Sequence, residues 1–490
     1  MMHLKIDDSK FRFLPGLLAI FGMVYLFLAT PNGLGLSPDS VAYIHSSKSM
    51  LEHGSPGDLS FWPPGYPAMI ALFAAFQHDY FLAARLLGVI LIGTNLLLFN
   101  LILQKCGWGN LISCVFTVLL IFDRDFMFLH LNASSETAFV ATLLAGITAL
   151  LVYSETGSRK MLIGLGLIFA MSAMVRYAGV AFISGATLAL FFQSVSAKRD
   201  GKFFSNLLPP IQFLAIAAFP ISVWVLKKSL ESGKVGIHEK VFHPMTPQKW
   251  NEGLHTVASW FGNMEIGAAL FVGAAILLIF YHKNLSVNAK RLLMISGCLA
   301  ATYLAFILLT LLYFVFGVQL DYRILYPVKL LVYMSMFTSM QAIVPKWRLP
   351  VAGIFSALVL TLNYSDARNI VSNSSLQGYG FAQVGMRDMP ILAFIKANHI
   401  ELDATNSPEL TSLYLDQEVK MLPASYTRIT GLPFTDQASK IRDLARPRAT
   451  VVIFSVTLWR DYLPNQQQLM DAGFTNVIYQ QPDGVILQHP

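Results

Sequence analysis

Apolar runs approaching 20 residues recur along this chain as far as residue 363, and nothing else in it restricts the fold so strongly. A helix needs about 20 predominantly apolar residues to cross a bilayer, and inside the hydrocarbon its backbone must satisfy its own hydrogen bonds. Eleven runs are expected to span, at residues 13–30, 81–103, 110–122, 135–152, 161–176, 178–194, 206–226, 265–281, 292–315, 325–344 and 350–363. Only 13% of the residues are charged and 55% are hydrophobic, whereas soluble domains carry about 25% charge. The chain reads as a multi-pass membrane protein with its two ends on opposite sides.

The distribution of basic residues gives an orientation. Cytoplasmic loops carry an excess of Lys and Arg, and the expected inner turns hold Lys5, Lys10 and Arg12; Lys105; Arg159 and Lys160; Lys198, Arg199 and Lys202; Lys283, Lys290 and Arg291; and Lys346 and Arg348. The net charge of +7 is spread over these turns, so it reads as a set of topology determinants, and no nucleic-acid partner is expected. The N-terminal run is too long, and its cleavage region too poor, for a signal peptide; it is read as a first span with a cytoplasmic N-terminus. One outer loop, 227–264, fits badly, because it carries Lys227, Lys228, Lys234, Lys240 and Lys249. Either that loop binds anions or one span is misplaced. Cys106, Cys114 and Cys298 lie in or beside apolar segments without metal-ligand spacing, and no disulfide framework is expected.

Two regions break the pattern. Residues 31–80 form a first outer loop in which "DSVAYIHSSKSMLEHG" places Val41, Ile44 and Leu51 on one helical face, while "PGYPAMIALFAAFQ" is too short and proline-broken to span. Both read as helices lying at the interface, with Phe61, Trp62 and Tyr66 at headgroup level. From residue 364 a polar stretch reads as a linker. After it, "MPILAFIKANH", "DQASKIRDLAR" and "NQQQLMDAG" read as helices, and "ATVVIFSVTL" and "NVIYQQPDGVILQ" as strands, the last turning at Pro482-Asp483-Gly484. The expected fold is a polytopic α-helical membrane protein of about 11 spans (residues 1–363), with interfacial helices in its first outer loop and a C-terminal soluble α/β domain on the outer face (residues 364–490).

Chemistry-bearing residues collect at the outer ends of the spans. Asp39 follows Ser37-Pro38, and one reading makes it simply the acid in the first turn of a helix capped by Ser37 and closed by Gly54. The other makes it a general base beside the membrane surface; the two are compatible. Asp123, Arg124, Asp125 and Glu136 cluster where one span ends and the next begins, Arg176 sits between two apolar runs, and Asp321, Tyr322 and Arg323 open the tenth span. Charges at such depths cost about 2.5–3.5 kcal/mol on insertion scales, so they pair, snorkel or face a wet cavity. A guanidinium suits a lipid phosphate, and a carboxylate suits deprotonation of an attacking hydroxyl. A lipid-linked phosphosugar reacting with an alcohol needs both.

These elements resemble the C-type (GT-C) superfamily of integral-membrane glycosyltransferases. Asp39 with the following Tyr43, Ser47, Met50 and Gly54, then "FWPPGYP" and "YFLAARLLGVILIGTNLLLFNLIL", is similar to that superfamily's first outer loop and second span; "NASSETAF", "MVRYAGV" and "LDYRILYPV" look like its later elements. The bacterial relatives of protein O-mannosyltransferases and of the lipid A aminoarabinose transferase are the groups it resembles, over roughly residues 10–345. The resemblance implies a polyprenyl-phosphate sugar donor, transfer to a glycan, lipid or protein acceptor on the outer face of a bacterial inner membrane, and inversion at the anomeric carbon. It maps the catalytic acid onto Asp39. Arg323, Arg176 and Tyr322 fall to the donor phosphate, with Glu136, Arg124, Asp321, Trp62 and Tyr66 in support; for Trp62 and Tyr66 an interfacial anchor is the plainer role. Some relatives carry an acidic pair in the first loop. Here Ser40 follows Asp39, so metal-independent transfer is the default and a divalent cation the alternative. An O-antigen ligase or polymerase, a lipid-linked saccharide carrier, and a non-catalytic membrane scaffold are the competing classes.

Overall fold

The apolar runs fold as helices whose polar termini meet at one end of the bundle. The computed structural model describes residues 11–57, 62–196, 203–232, 241–315, 317–427 and 431–490; Lys5, Lys10, Phe61, Lys198, Arg199, Lys202, Lys234 and Lys240 lie outside them. Helix α1 (Leu14–Ala29) leads into the first outer loop, where α2 (Pro38–His53) and α3 (Gly65–Gln77) lie. Then come α4 (Tyr80–Lys105), α5 (Asn110–Ile121), the short α6 (Arg124–His130), α7 (Ser135–Thr156), α8 (Arg159–Val175), α9 (Gly179–Ser196) and α10 (Phe203–Ser232). The membrane part continues through α11 (Pro247–Ser259), α12 (Met264–Tyr281), α13 (Val287–Tyr313), α14 (Tyr322–Ser339) and α15 (Pro345–Gln377).

Each expected span coincides with a helix. Among the described residues, seven helices are long and apolar enough to cross a membrane by length and composition: α4, α7, α9, α10, α12, α13 and α15. The helices α1, α5 and α8 are apolar but shorter, with 16, 12 and 17 residues, and α14 is interrupted by Arg323 and Lys329.

The polar stretch after residue 363 is not a linker. It forms the last turns of the 33-residue α15, because no Pro or Gly interrupts residues 364–377; the helix stops at Gly378, whose φ is 74°. The C-terminal unit then follows with α16 (Val384–Arg387), α17 (Pro390–Ala397), α18 (Pro408–Leu415), α19 (Gln437–Leu444) and α20 (Gln466–Asp471) around a five-stranded sheet. Strands β1 (Ala404–Thr405), β2 (Lys420–Met421), β3 (Thr450–Phe454), β4 (Asn476–Gln481) and β5 (Gly484–Gln488) take the order β2-β1-β3-β5-β4. The first three pair in parallel, and β5 runs antiparallel to both β3 and β4. Ile391, Leu392, Leu410, Val452 and Ile486 join the same continuous core as the membrane helices.

Backbone pairing holds the first outer loop in place. The N–H of Gly35 donates to Leu131 O (2.8 Å) and its carbonyl accepts from Ala133 N (2.9 Å), while Leu36 O accepts from Phe381 N (2.8 Å). The segment before α2 is thus an extended piece gripped between the α6–α7 turn and the start of the C-terminal unit. Gly380 (φ 57°) is required there, since any Cβ at that position would run into Leu36 O.

Deeper in the bundle, Lys329 Nζ sits 2.6 Å from Asp123 Oδ2 and 2.8 Å from Asp125 Oδ2, and all three side chains are almost fully buried. Tyr333 donates to Trp260 O at 2.9 Å and lies against Asp123 at 3.4 Å. Asp123 also N-caps α6 by accepting from Phe126 N. Breaking a buried pair by removing one partner costs about 3–5 kcal/mol, because the charge left behind is uncompensated, whereas removing the whole group is far milder. Lys329→Met is therefore expected to lower unfolding free energy by about that amount in detergent. Adding Asp123→Asn and Asp125→Asn is expected to restore most of it. Denaturant melts of the single and triple variants check this, and a triple variant as unstable as the single one contradicts it.

Candidate active site

Asp39 opens α2 without being needed to cap it. Ser37 is the N-cap, its hydroxyl accepting from Ser40 N while Ser40 reciprocates to Ser37 N, and Pro38 occupies the first turn. Gly54, at φ 70°, closes the helix. The helix-start reading of this stretch is therefore right, yet it leaves the Asp39 carboxylate unused. Among the described residues, no hydrogen bond or ion pair reaches it. Burial raises the Asp39 pKa above the ordinary carboxylate value, with the neighbouring Glu136 adding to the effect and Arg176 and Arg323 opposing it.

Tyr43 lies one turn along α2, and its hydroxyl is 3.2 Å from Ser135 Oγ. That oxygen accepts from Arg176 Nη1 at 3.1 Å, and the same nitrogen pairs with Glu136 Oε1 at 2.7 Å. The guanidinium arrives there because α8 and α9 are joined by only three residues, Arg176 to Ala178, so the side chain leaves directly from a helix end. Gly65, at the start of α3, presses against the backbone of Met174 and Val175; an added Cβ would collide with them.

Arg323 approaches from the opposite wall. Asp321 N-caps α14 by accepting from Arg323 N (3.0 Å) and Ile324 N (3.1 Å), and its second oxygen accepts from Arg323 Nε at 3.0 Å. The two terminal nitrogens of Arg323 have no hydrogen-bond partner among the described residues, and the side chain is 40% exposed. Both Arg176 and Arg323 act electrostatically on Asp39 and on Glu136. The structure thus brings four groups from α2, α7, the α8–α9 turn and α14 into one cluster: an unpaired carboxylate, a paired one, a paired guanidinium and a guanidinium with free N–H groups.

The remaining residues singled out in the sequence divide. Tyr322 packs edge-on against Phe128, 4.9 Å between centroids, beside Arg323. Trp62 is 39% exposed and meets the edge of Tyr43 at 6.5 Å. Tyr66 is buried and packs on Tyr43 at 5.2 Å, so it supports that ring from behind and lines no opening. Arg124 is exposed at the first turn of α6 and takes no part in the cluster, because α6 turns its flanking acids Asp123 and Asp125 inward to Lys329. In the basic outer loop, Lys227 and Lys228 pair with Glu231, and Lys249 is held by Glu252 and Val318 O. These lysines are engaged within the loop. Among the described residues, no group of three or more His, Cys, Asp or Glu side chains is placed to hold a metal ion.

The C-terminal unit closes one side of this end. His45 Nε2 of α2 lies 2.5 Å from Ser412 Oγ of α18. Glu409, at the start of α18, is bound by Arg460 at 2.7 and 3.0 Å and adds its charge to the field at Asp39. Helical spacing from Asp39 points to Tyr43, and adjacency to Glu136 points to Ser135. No local pattern marks Lys329, Glu409 or Ser412, which reach this region only through tertiary packing.

No protein-family model and no characterised protein matches this chain in sequence. Solved structures do match it in fold. Against ArnT from Cupriavidus metallidurans bound to undecaprenyl phosphate the TM-score is 0.57 at 12% identity, covering 97% of this chain and 98% of that one. The Archaeoglobus fulgidus oligosaccharyltransferase tethered to an acceptor peptide gives 0.53 at 10% identity, over 97% of this chain and 74% of that one. Arabinofuranosyltransferase AftD from Mycobacteria gives 0.53 at 13% identity, over 97% of this chain and 40% of that one. The chain shares its overall fold with these three transferases.

The raised pKa of Asp39 has a consequence for stability. Between its ordinary and its raised value the folded protein binds more protons at this site than the unfolded chain, so stability falls as pH rises through that window. Above the ordinary Asp range the carboxyl is then a net burden on the fold. Asp39→Asn is expected to raise the melting temperature at pH 7 and to leave it nearly unchanged below the ordinary Asp range. Melting curves across pH check this; a variant destabilised at pH 7 would show that the carboxylate is structurally paired.

Proposed function

We propose that this protein is an integral-membrane glycosyltransferase that moves a sugar from a polyprenyl-phosphate carrier to an acceptor hydroxyl at the outer face of a bacterial inner membrane, with inversion. The observation that carries the reading is the pairing, within one cluster, of an unengaged carboxylate on α2 with an Arg323 whose terminal N–H groups are free. The bilayer confines the donor lipid, and the C-terminal unit stands on the outer side beside the acceptor.

In this mechanism Asp39 takes the proton of the acceptor hydroxyl as its oxygen bonds to the anomeric carbon. The bond from that carbon to the phosphate oxygen breaks on the opposite face, and its electron pair leaves with the polyprenyl phosphate. Arg323 meets the developing charge with its two terminal nitrogens, in the fork geometry that suits phosphate oxygens. Arg176 adds positive charge from the deeper side. It is held by Glu136 and Ser135, so it need not reorganise during the reaction. The raised pKa of Asp39 brings it closer to the operating pH and so strengthens it as a base. Trp62, beside Tyr43, and Tyr322, next to Arg323 in the chain, are the aromatic rings assigned to the sugar and donor side. ArnT, which shares the fold, was solved with undecaprenyl phosphate, and that supports a donor of the same lipid class here.

The competing classes have less to stand on. A ligase or polymerase acting through the basic outer loop would use its lysines as free cations, whereas Lys249 is held by Glu252 and Lys227 and Lys228 both contact Glu231. A carrier needs charge placed along a path, and the deep charges, Lys329 with Asp123 and Asp125, are saturated by one another.

Asp39→Asn is expected to lower sugar transfer by about 10²- to 10⁴-fold with donor binding retained. Arg323→Ala removes charge-assisted hydrogen bonds worth about 1.5–3 kcal/mol, so donor affinity is expected to drop by about 10- to 150-fold. Labelled polyprenyl-phosphate sugars offered to the purified protein measure both. Full transfer in the first variant, or unchanged donor binding in the second, removes the corresponding assignment.

A further inference from the structure

A cavity of about 280 Å³ opens on another flank of α2. Its walls are Leu34 and Leu36 of the first outer loop, Ile44 of α2, Phe81 and Ala84 of α4, and Leu413 of α18, with Arg387 and Tyr414 at its polar edge. Ile44 lies five residues beyond Asp39, about 140° around the helix at 3.6 residues per turn. The cavity therefore faces away from the Asp39 carboxylate. It is bounded by a membrane helix on one side and the C-terminal unit on the other.

Its rim carries Arg387, and Arg85 follows the lining residue Ala84 on α4. Arg387 Nη2 donates to Asn32 O at 2.6 Å and also touches the Tyr414 hydroxyl. Across the α1–α2 turn, Arg85 Nη2 donates to Phe27 O at 2.7 Å and Nε to Thr30 Oγ1 at 3.2 Å, with the guanidinium 4.1 Å over the Phe27 ring. Neither arginine forms an ion pair with a carboxylate among the described residues. Each is held on neutral oxygens, which fixes its position without an ion pair, and Asp388 is the carboxylate that shares the Tyr414 end with Arg387. Phe81 and Val384 next to them are partly exposed, as side chains meeting lipid would be.

We propose that this cavity is a binding site for an anionic glycerophospholipid. One acyl chain enters the apolar pocket between α2, α4 and α18, and the headgroup phosphate rests on Arg387, with Arg85 contributing to the field. A solvated polar ligand gains nothing from walls of Leu, Ile, Phe and Ala, and a lipid without net charge gains less than an anionic one from an arginine that forms no ion pair; an anionic lipid uses both the walls and the Arg387 edge. The occupant bridges α4 to the C-terminal unit, so it holds the His45–Ser412 seam closed. This assignment does not depend on the transfer reaction.

The test uses delipidated full-length protein in a neutral detergent, with lipid retention read by native mass spectrometry and thermal stability read in parallel. Phosphatidylglycerol, phosphatidylcholine, undecaprenyl phosphate and inorganic phosphate are added in separate arms. Phosphatidylglycerol is expected to be retained at least tenfold better than phosphatidylcholine and to raise the melting temperature, with inorganic phosphate inert. Arg387→Gln is expected to erase that preference, and Leu413→Trp, which fills the pocket, to reduce retention without changing undecaprenyl-phosphate binding. Should Leu413→Trp fail to fold, Arg387→Gln alone decides, because its side chain is exposed. Equal retention of the two glycerophospholipids, or an unchanged preference in Arg387→Gln, overturns the proposal. So does tighter binding of undecaprenyl phosphate at the Arg387 rim, or a response to inorganic phosphate equal to that of the lipid.

Discussion

A single ammonium group between two carboxylates fixes the geometry on which the rest of this molecule depends. Lys329 reaches from α14 to Asp123 and Asp125 at the start of α6, and six residues before it α14 carries Arg323. A few residues beyond α6 the chain reaches Ser135 and Glu136. The buried triad therefore sets the separation between the two walls of the cluster from beneath. Buried ion pairs contribute little net stability compared with apolar packing; here the gain is in position, because two ridges of apolar side chains can slip against each other and three charges at these distances cannot.

Above the triad the guanidiniums are divided by what already holds them. Arg176 is committed to Glu136 and Ser135, and through Ser135 to Tyr43 on α2. It ties α2, α7 and the α8–α9 turn together and supplies a fixed charge. Arg323 is anchored only through Nε, so its outer face remains open to a ligand. The carboxylates divide in the same way, Glu136 being engaged and Asp39 free. One bound and one open member of each sign is the arrangement that a reaction moving a proton one way and a phosphate the other requires.

Much of this was legible in the sequence, for physical reasons. Apolar length reports on the bilayer, which acts on every span alike, and all eleven runs are helices. The hairpin at Pro482-Asp483-Gly484 and the cap at Ser37 are local devices, and both were readable. Asp39, Glu136, Arg176 and Arg323 stood out because charge beside apolar runs is costly and demands a reason. What local sequence does not show is partner choice. Arg124 looks like its neighbours Asp123 and Asp125, yet it faces outward while they turn in to Lys329, some 200 residues further along. Tyr66 reads as an interfacial aromatic and is buried under Tyr43. The polar residues after 363 suggested a linker because composition changes there, but polarity alone does not stop a helix, and the first Gly or Pro they offer is Gly378, where α15 ends.

The central claim is that Asp39 and Arg323 address opposite ends of one reacting bond. A structure of the protein with a non-transferable polyprenyl-phosphate sugar analogue tests this directly. The account predicts the phosphate within hydrogen-bond distance of the terminal nitrogens of Arg323, and the Asp39 carboxylate facing the anomeric carbon from the side away from the phosphate. A phosphate seated against Arg85 and Arg387, or an Asp39 on the same side of the sugar as the phosphate, would contradict it.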